Sequence, residues 1–170
     1  MVDTSTINIR DFRSSDTDLI VSLNHESVAV LSTMDDQRFE LLRQQSHALW
    51  IAELNQQPVG FLMGFCEGSD YDSVNYQWFN QRYDSFVYID RVVVGAKARG
   101  TGIGSAFYTR LEQWAGEHNK SYLVAEVDIV PPNPASLSFH NRQGFKQVGE
   151  QVYGEPEKKV AMLEKANGVS

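Results

Sequence analysis

The stretch of this sequence best suited to chemistry is Arg99-Gly100-Thr101-Gly102-Ile103-Gly104. Three alternating glycines let a backbone turn sharply and leave its N–H groups uncovered by side chains. The run follows the apolar Val92-Val93-Val94 and precedes a segment of helical periodicity. Its donors therefore fall at a helix N-terminus, where the helix dipole adds partial positive charge. Arg99 sets a permanent cation beside them. The chemistry this suits is capture of a diphosphate. A Walker A loop fails on one residue: Gly95 and Gly100 are correctly spaced, but Thr101 stands where the lysine is needed. A dinucleotide fingerprint is half met by Gly100 and Gly102, but Ser105 replaces the third glycine. The run also comes late, after three strands expected to be antiparallel, rather than within an opening βαβ unit.

Nucleophilic chemistry has a weaker claim. The only cysteine, Cys66, ends the apolar run Val59 to Cys66, where a buried structural thiol is expected and nothing nearby in sequence would lower its pKa. A lone cysteine also excludes an intrachain disulfide and a Cys-rich zinc site. No metal is expected.

The elements that must position the glycine run belong to one folded unit. The chain has 170 residues, of which 42% are hydrophobic and 22% charged, enough apolar material for a core. Fifteen Lys and Arg against 22 Asp and Glu give a net charge of −7. That balance disfavours nucleic acid and anionic lipid as partners. No stretch approaches the ~20 apolar residues of a membrane span, and Met1 to Thr6 lacks the basic start of a signal peptide, so a reducing cytoplasm is the expected address.

Alternation at Ile7, Ile9 and Phe12 predicts a first strand. Ser15 or Asp16 can then cap a helix with Leu19, Ile20, Leu23 and Val28 inward, and a second helix is expected from Asp35 to Gln45 with Phe39, Leu41 and Leu42 inward. Ala48 to Leu54 and Val59 to Cys66 read as a hairpin. The aromatic segment Gly68 to Tyr83 is either a functional loop or a short helix packed on the core. Phe86 to Val94 is a strand, a helix runs from about Ser105 to Glu117, and Tyr122 to Val130 is another strand. Pro134 opens a helix that Gly144 ends, before strands at Phe145–Val152 and Lys158–Leu163. This is a mixed α/β order in one layered system. The helix from Ser105 to Glu117 crosses over between two strands, which makes those ending at Val94 and Val130 parallel neighbours.

From Val94 through Gly104 the sequence resembles the coenzyme A pyrophosphate loop of the GNAT superfamily of acyl-CoA-dependent N-acyltransferases. The pattern of Arg or Gln, two residues, Gly, one residue, then Gly or Ala is met by Arg99, Gly102 and Gly104. A second block matches at Asn133 to His140, ending in Gly144-Phe145. The resemblance implies a single GNAT-type domain over residues 3–165, with a mixed, mainly antiparallel twisted sheet flanked by helices and splayed central strands. Acetyl-CoA would be the cosubstrate. Gly100, Thr101, Gly102, Ile103, Gly104 and Ser105 would hold its pyrophosphate beside Arg99. The main chain of Val92, Val93 and Val94 would pair with the pantetheine arm, and Asn133 and Ser136 would line it.

The resemblance also implies an acid–base pair, because the amine must be neutral to attack and the leaving thiolate must be protonated. Glu126 stands near the place of the family's glutamate base, although Pro131-Pro132 lengthens the connection to Asn133. Asp90 is the second candidate, with Asp128 behind it. His140 occupies the position of the family's usual tyrosine acid; it is either the acid or a packing histidine, with solvent protonating the thiolate.

The leading function is therefore acetyl transfer to a primary amine by direct attack in a ternary complex. Alternatives are a non-catalytic CoA-binding regulatory domain, a transferase using a longer acyl donor, and a nicotinamide or flavin oxidoreductase misread from its glycines. The acceptor, a small-molecule or peptide amine, would draw on Asn24, His25, Glu26, Tyr76, Trp78, Tyr83 and Tyr153. A homodimer is left open.

Overall fold

A computed structural model describes residues 6–27 and 31–168. Among the described residues, seven strands form one sheet in the order β1-β2-β3-β4-β5-β7-β6, mostly antiparallel, with five α-helices. The chain divides into two compact bodies. One holds the described residues up to Phe65 together with Asp90–Leu111, the other Cys66–Ile89 and the residues from Glu112 onward.

In the first body, β1 (Ile7–Asp11) pairs antiparallel with β2 (Ala48–Leu54), which pairs antiparallel with β3 (Gln57–Cys66). The hairpin turn is tighter than the sequence suggests. Asn55 and Gln56 both take left-handed φ, at 51° and 69°, so β3 starts two residues before Val59. Helix α1 (Thr17–Glu26) places Ile20 and Leu23 in the core, and α2 (Asp36–Gln45) places Phe39 and Leu42 there. Asp35 caps α2 by accepting the Arg38 N–H at 2.7 Å. Leu41 was expected inward but is 45% exposed: it lies one residue from Leu42, about 100° round the helix. The expectation for Val28 lies outside the described residues.

In the second body, the aromatic segment resolves as a short helix, α3 (Val74–Asn80), capped by the Ser73 hydroxyl. Tyr76 and Phe79 are fully buried, with ring centroids 5.6 and 5.8 Å from Tyr88, so α3 is a packed wall rather than a free lid. Strand β4 (Phe86–Val94) and β5 (Tyr122–Val130) are parallel, as the crossover by α4 (Ile103–Glu117) requires. Their ladder has three pairs, from Phe86↔Tyr122 to Tyr88↔Val124. Strand β5 continues against β7 (Lys158–Ala166), which pairs with β6 (Lys146–Tyr153). Between β5 and β7 lies α5 (Pro134–Arg142) in sequence, opened by Pro134 and followed by Gly144 at φ +94°.

Candidate active site

The glycine run is built on a crowded strand end. A Cβ on Gly60 would lie 2.7 Å from the Val93 carbonyl oxygen, and the Gly95 N–H donates to Val59 O at 2.7 Å. Only glycine at position 60 lets the backbones approach that closely, and the contact fixes where β4 stops. Val93 is buried, while Val92 and Val94 are half-buried. A 3₁₀ turn, Ala96–Ala98, follows, pinned by the buried Ala98 methyl and by the Thr101 hydroxyl donating to Ala98 O.

Gly100 and Gly102 then take φ of +77° and +90°. A Cβ on Gly100 would meet nothing within 4 Å, and one on Gly102 only Ile7 Cδ1 at 3.9 Å. Backbone conformation, and not crowding from this chain, is what demands glycine there. The surface above the loop is therefore open, as a bulky anion requires. Helix α4 begins at Ile103, which is buried and anchors the turn. The Ala106 N–H donates to Gly102 O, which closes the first turn of α4 directly behind the glycines. Arg99 is exposed, with Nε donating to Val94 O at 3.3 Å. These residues fit a pyrophosphate: main-chain donors, a helix N-terminus and one cation.

Asp90 belongs to the same body but has another task. Its Oδ2 accepts from Arg91 Nε at 2.8 Å, and Arg91 is 2% exposed. Arg91 also donates to Asn24 Oδ1 and to the carbonyl and hydroxyl oxygens of Ser32. A buried guanidinium needs a counter-charge, and Asp90 supplies it.

Glu126, half-buried on β5 in the second body, lies in a polar network of different character. Its Oε1 accepts from the Tyr88 hydroxyl at 2.8 Å and, in a longer contact, from Asn75 Nδ2 at 3.4 Å. Asn75 is 4% exposed, and its Oδ1 accepts from Gln151 Nε2 at 2.8 Å. The Tyr88 hydroxyl and the Asn75 amide are both neutral donors, and together they fix the direction of the Glu126 carboxylate oxygen. Asp128, two residues on, is pushed up by burial, opposed by Lys158 at 3.9 Å. Tyr88, Asn75 and Gln151 were not found from the sequence. The one signal was that Asn75 lies inside the aromatic segment.

The second sequence block is largely self-bonded. Asn133 Oδ1 caps α5 by accepting the Ser136 N–H at 3.3 Å, while the Asn133 N–H returns to Asp128 O at 3.0 Å. The extra prolines are taken up in that turn. His140 is 7% exposed, edge-on to Phe139 and Phe145, with Nδ1 2.8 Å from Ser136 O. A carbonyl only accepts, so Nδ1 carries the proton. Burial pulls the imidazole below its usual range, although the Ser136 bond opposes it. Of the two roles the sequence left open for His140, burial and the Ser136 contact favour the packing histidine, a neutral ring with its proton on Nδ1.

The sequence matches the acetyltransferase (GNAT) family over residues 11–145. The chain belongs to the GNAT acetyltransferase family. Its fold is shared with Ard1 from Thermoplasma volcanium at 16% identity and TM-score 0.76, covering 94% of this chain and 97% of that one. It is also shared with an N-acetyltransferase from Staphylococcus aureus Mu50, at 23% identity and TM-score 0.69 over 96% and 99% of the two chains. A third, yncA from Salmonella typhimurium, solved with its cofactor acetyl-CoA, has 18% identity and TM-score 0.72 over 98% and 96%. No curated protein matches the sequence significantly.

As a GNAT acetyltransferase the chain needs an acceptor pocket, and the residues expected to line it divide sharply. Asn24 is fully buried against Arg91, and Tyr76 is fully buried with its hydroxyl donating to Cys66 O at 2.6 Å, so neither is the surface residue expected. Tyr83 donates to Glu164. Trp78 packs on β6, where a Cβ on Gly149 would lie 2.6 Å from the indole. His25 is exposed and lines a cavity of about 500 Å³ in the first body with Asp18, Asp35, Asp36 and Met34. Cys66 is buried and its thiol is pushed up to about 11, which leaves it unreactive at neutral pH. Among the described residues, no helix is long and apolar enough to cross a membrane.

Proposed function

We propose that this GNAT protein transfers the acetyl group of acetyl-CoA to a primary amine by direct attack in a ternary complex. The observation that carries the reading is the open glycine turn: Gly100 and Gly102 at positive φ, uncrowded, leading into the first turn of α4. Acetyl-CoA, when bound, supplies the activated acyl group. The chain supplies the rest. Main-chain N–H groups of residues 100–105 and the Arg99 guanidinium hold the pyrophosphate. The main chain of Val92 to Val94 extends along the pantetheine arm as an added strand would, and Asn133 and Ser136 line it.

Glu126 takes the proton from the ammonium of the acceptor, directly or through water. Its carboxylate is held by neutral donors, whereas that of Asp90 neutralises Arg91. With His140 neutral and bonded to Ser136, solvent protonates the departing thiolate. A reducing cytoplasm suits a chain whose lone cysteine is buried. Release of free CoA thiol from acetyl-CoA, measured over a panel of amines with the products read by mass spectrometry, tests the proposal. Tight CoA binding with no thiol release on any amine would favour the non-catalytic reading instead.

A further inference from the structure

We propose that Asn75 and Tyr88 are positioning residues for Glu126, and that Gln151 sets the direction in which the Asn75 amide points. The inference rests on Glu126 being the base. It starts from the order of donors and acceptors in the second body. Gln151 Nε2 donates to the Val74 carbonyl at 3.1 Å and to Asn75 Oδ1 at 2.8 Å. A backbone carbonyl can only accept, so the Gln151 amide nitrogen must face this way. Asn75 must then present Oδ1 to Gln151, which turns its Nδ2 toward Glu126 Oε1 at 3.4 Å. Tyr88 completes the set with its hydroxyl 2.8 Å from the same oxygen.

The donor direction thus runs from Gln151 on β6 to Asn75 on α3 and on to Glu126 on β5, with the Val74 carbonyl fixing the Gln151 amide. Tyr88 is fully buried and Asn75 is 4% exposed, so neither side chain has bulk water as a substitute partner. A reversed Asn75 amide would set a carbonyl oxygen against the carboxylate. Gln151, on the late strand pair, therefore controls a proton-transfer group on a different strand. The wall that α3 builds does more than fill space: it carries the amide that orients the base.

Both donors bond the charged form of Glu126 and so favour it. Removing either should raise the titration midpoint of the carboxyl by on the order of half to one pH unit. Loss of orientation should lower kcat about tenfold with little change in KM for acetyl-CoA. The substitutions leave the Asp128–Lys158 pair, 3.9 Å apart, and the Tyr76 bond to Cys66 O untouched.

The test follows the Glu126 carboxyl by ¹³C NMR titration of the full-length protein, its signal assigned by loss in Glu126→Gln. Tyr88→Phe, Asn75→Ala and Gln151→Met are compared with wild type, and turnover is measured on an amine the protein accepts. The expected result is a raised midpoint in all three, smallest for Gln151→Met, with kcat lowered alongside. If Asn75→Ala does not fold, Tyr88→Phe and Gln151→Met carry the test. Wild-type midpoints in the folded variants, with Glu126→Gln still inactive, would overturn the positioning role and leave the base in place. Wild-type turnover in Glu126→Gln would overturn both.

Discussion

The Asp90 carboxylate accepts a hydrogen bond from Nε of the adjacent Arg91 at 2.8 Å, and that contact separates the second carboxylate candidate of the sequence from the first, Glu126. Both lie on central strands, but Asp90 balances a guanidinium that is 2% exposed, while Glu126 faces a hydroxyl and an amide. Removing one partner of a buried pair leaves the other charge uncompensated. Asp90→Ala is expected to lower stability by about 3–5 kcal/mol in urea unfolding. The folded fraction should keep its turnover number, and a folded Asp90→Ala protein of normal stability without turnover would make Asp90 the base.

The glycine turn predicts an ordered pair of binding defects. Gly102→Trp sets a large side chain at φ +90°, a conformation it rarely adopts, over the open face of the loop. CoA binding should be lost by calorimetry while the circular dichroism spectrum persists. Arg99→Ala removes one charge-assisted contact and leaves the main-chain donors, so affinity should fall by about 1–3 kcal/mol. Unchanged affinity in folded Gly102→Trp would remove the loop from the site.

These contrasts mark what a sequence can carry. The strands Phe86–Val94 and Tyr122–Val130 were legible to the residue because β-branched runs bounded by glycine and proline leave little choice. The loop was legible because its chemistry is local: neighbouring glycines, one arginine and a helix start. The setting of Glu126 was not, because Asn75 and Gln151 are 51 and 76 positions from their respective partners Glu126 and Asn75. Nor does an asparagine among aromatics announce which way its amide will point. The choice between the two roles of His140 was hidden for the same reason. Its position matched a family acid, but its protonation is set by the Ser136 carbonyl and two phenylalanine rings.

The buried His140 has a consequence for stability. Burial holds its native pKa below the ordinary value of 6.5, so over the interval between the two the unfolded chain binds the proton and the native protein does not. Stability should therefore fall as pH drops through 6.5 toward the native pKa, then level off for this group. The cost is about 1.4 kcal/mol for each unit of depression. His140→Phe should remove that part of the acid sensitivity in urea titrations between about pH 5 and 7.5. An unaltered slope, or an imidazole titrating at its ordinary value by NMR, would show that the ring charges freely in the native state.

The last prediction concerns the base itself. An aliphatic amine is mostly ammonium at neutral pH, so attack needs a proton acceptor. Glu126→Gln keeps the size of the side chain and can still accept from Tyr88, so CoA affinity and fold should survive. Basicity would be lost. Turnover should fall by about 10²–10⁴-fold at neutral pH, the range that positioned acid–base groups contribute. The defect should shrink as pH rises, because free amine then forms without help. It should shrink further with an acceptor of low amine pKa, which needs no deprotonation at neutral pH. A defect that stays constant across pH and acceptor basicity would assign Glu126 to binding or structure, and wild-type turnover would leave the proton to solvent alone.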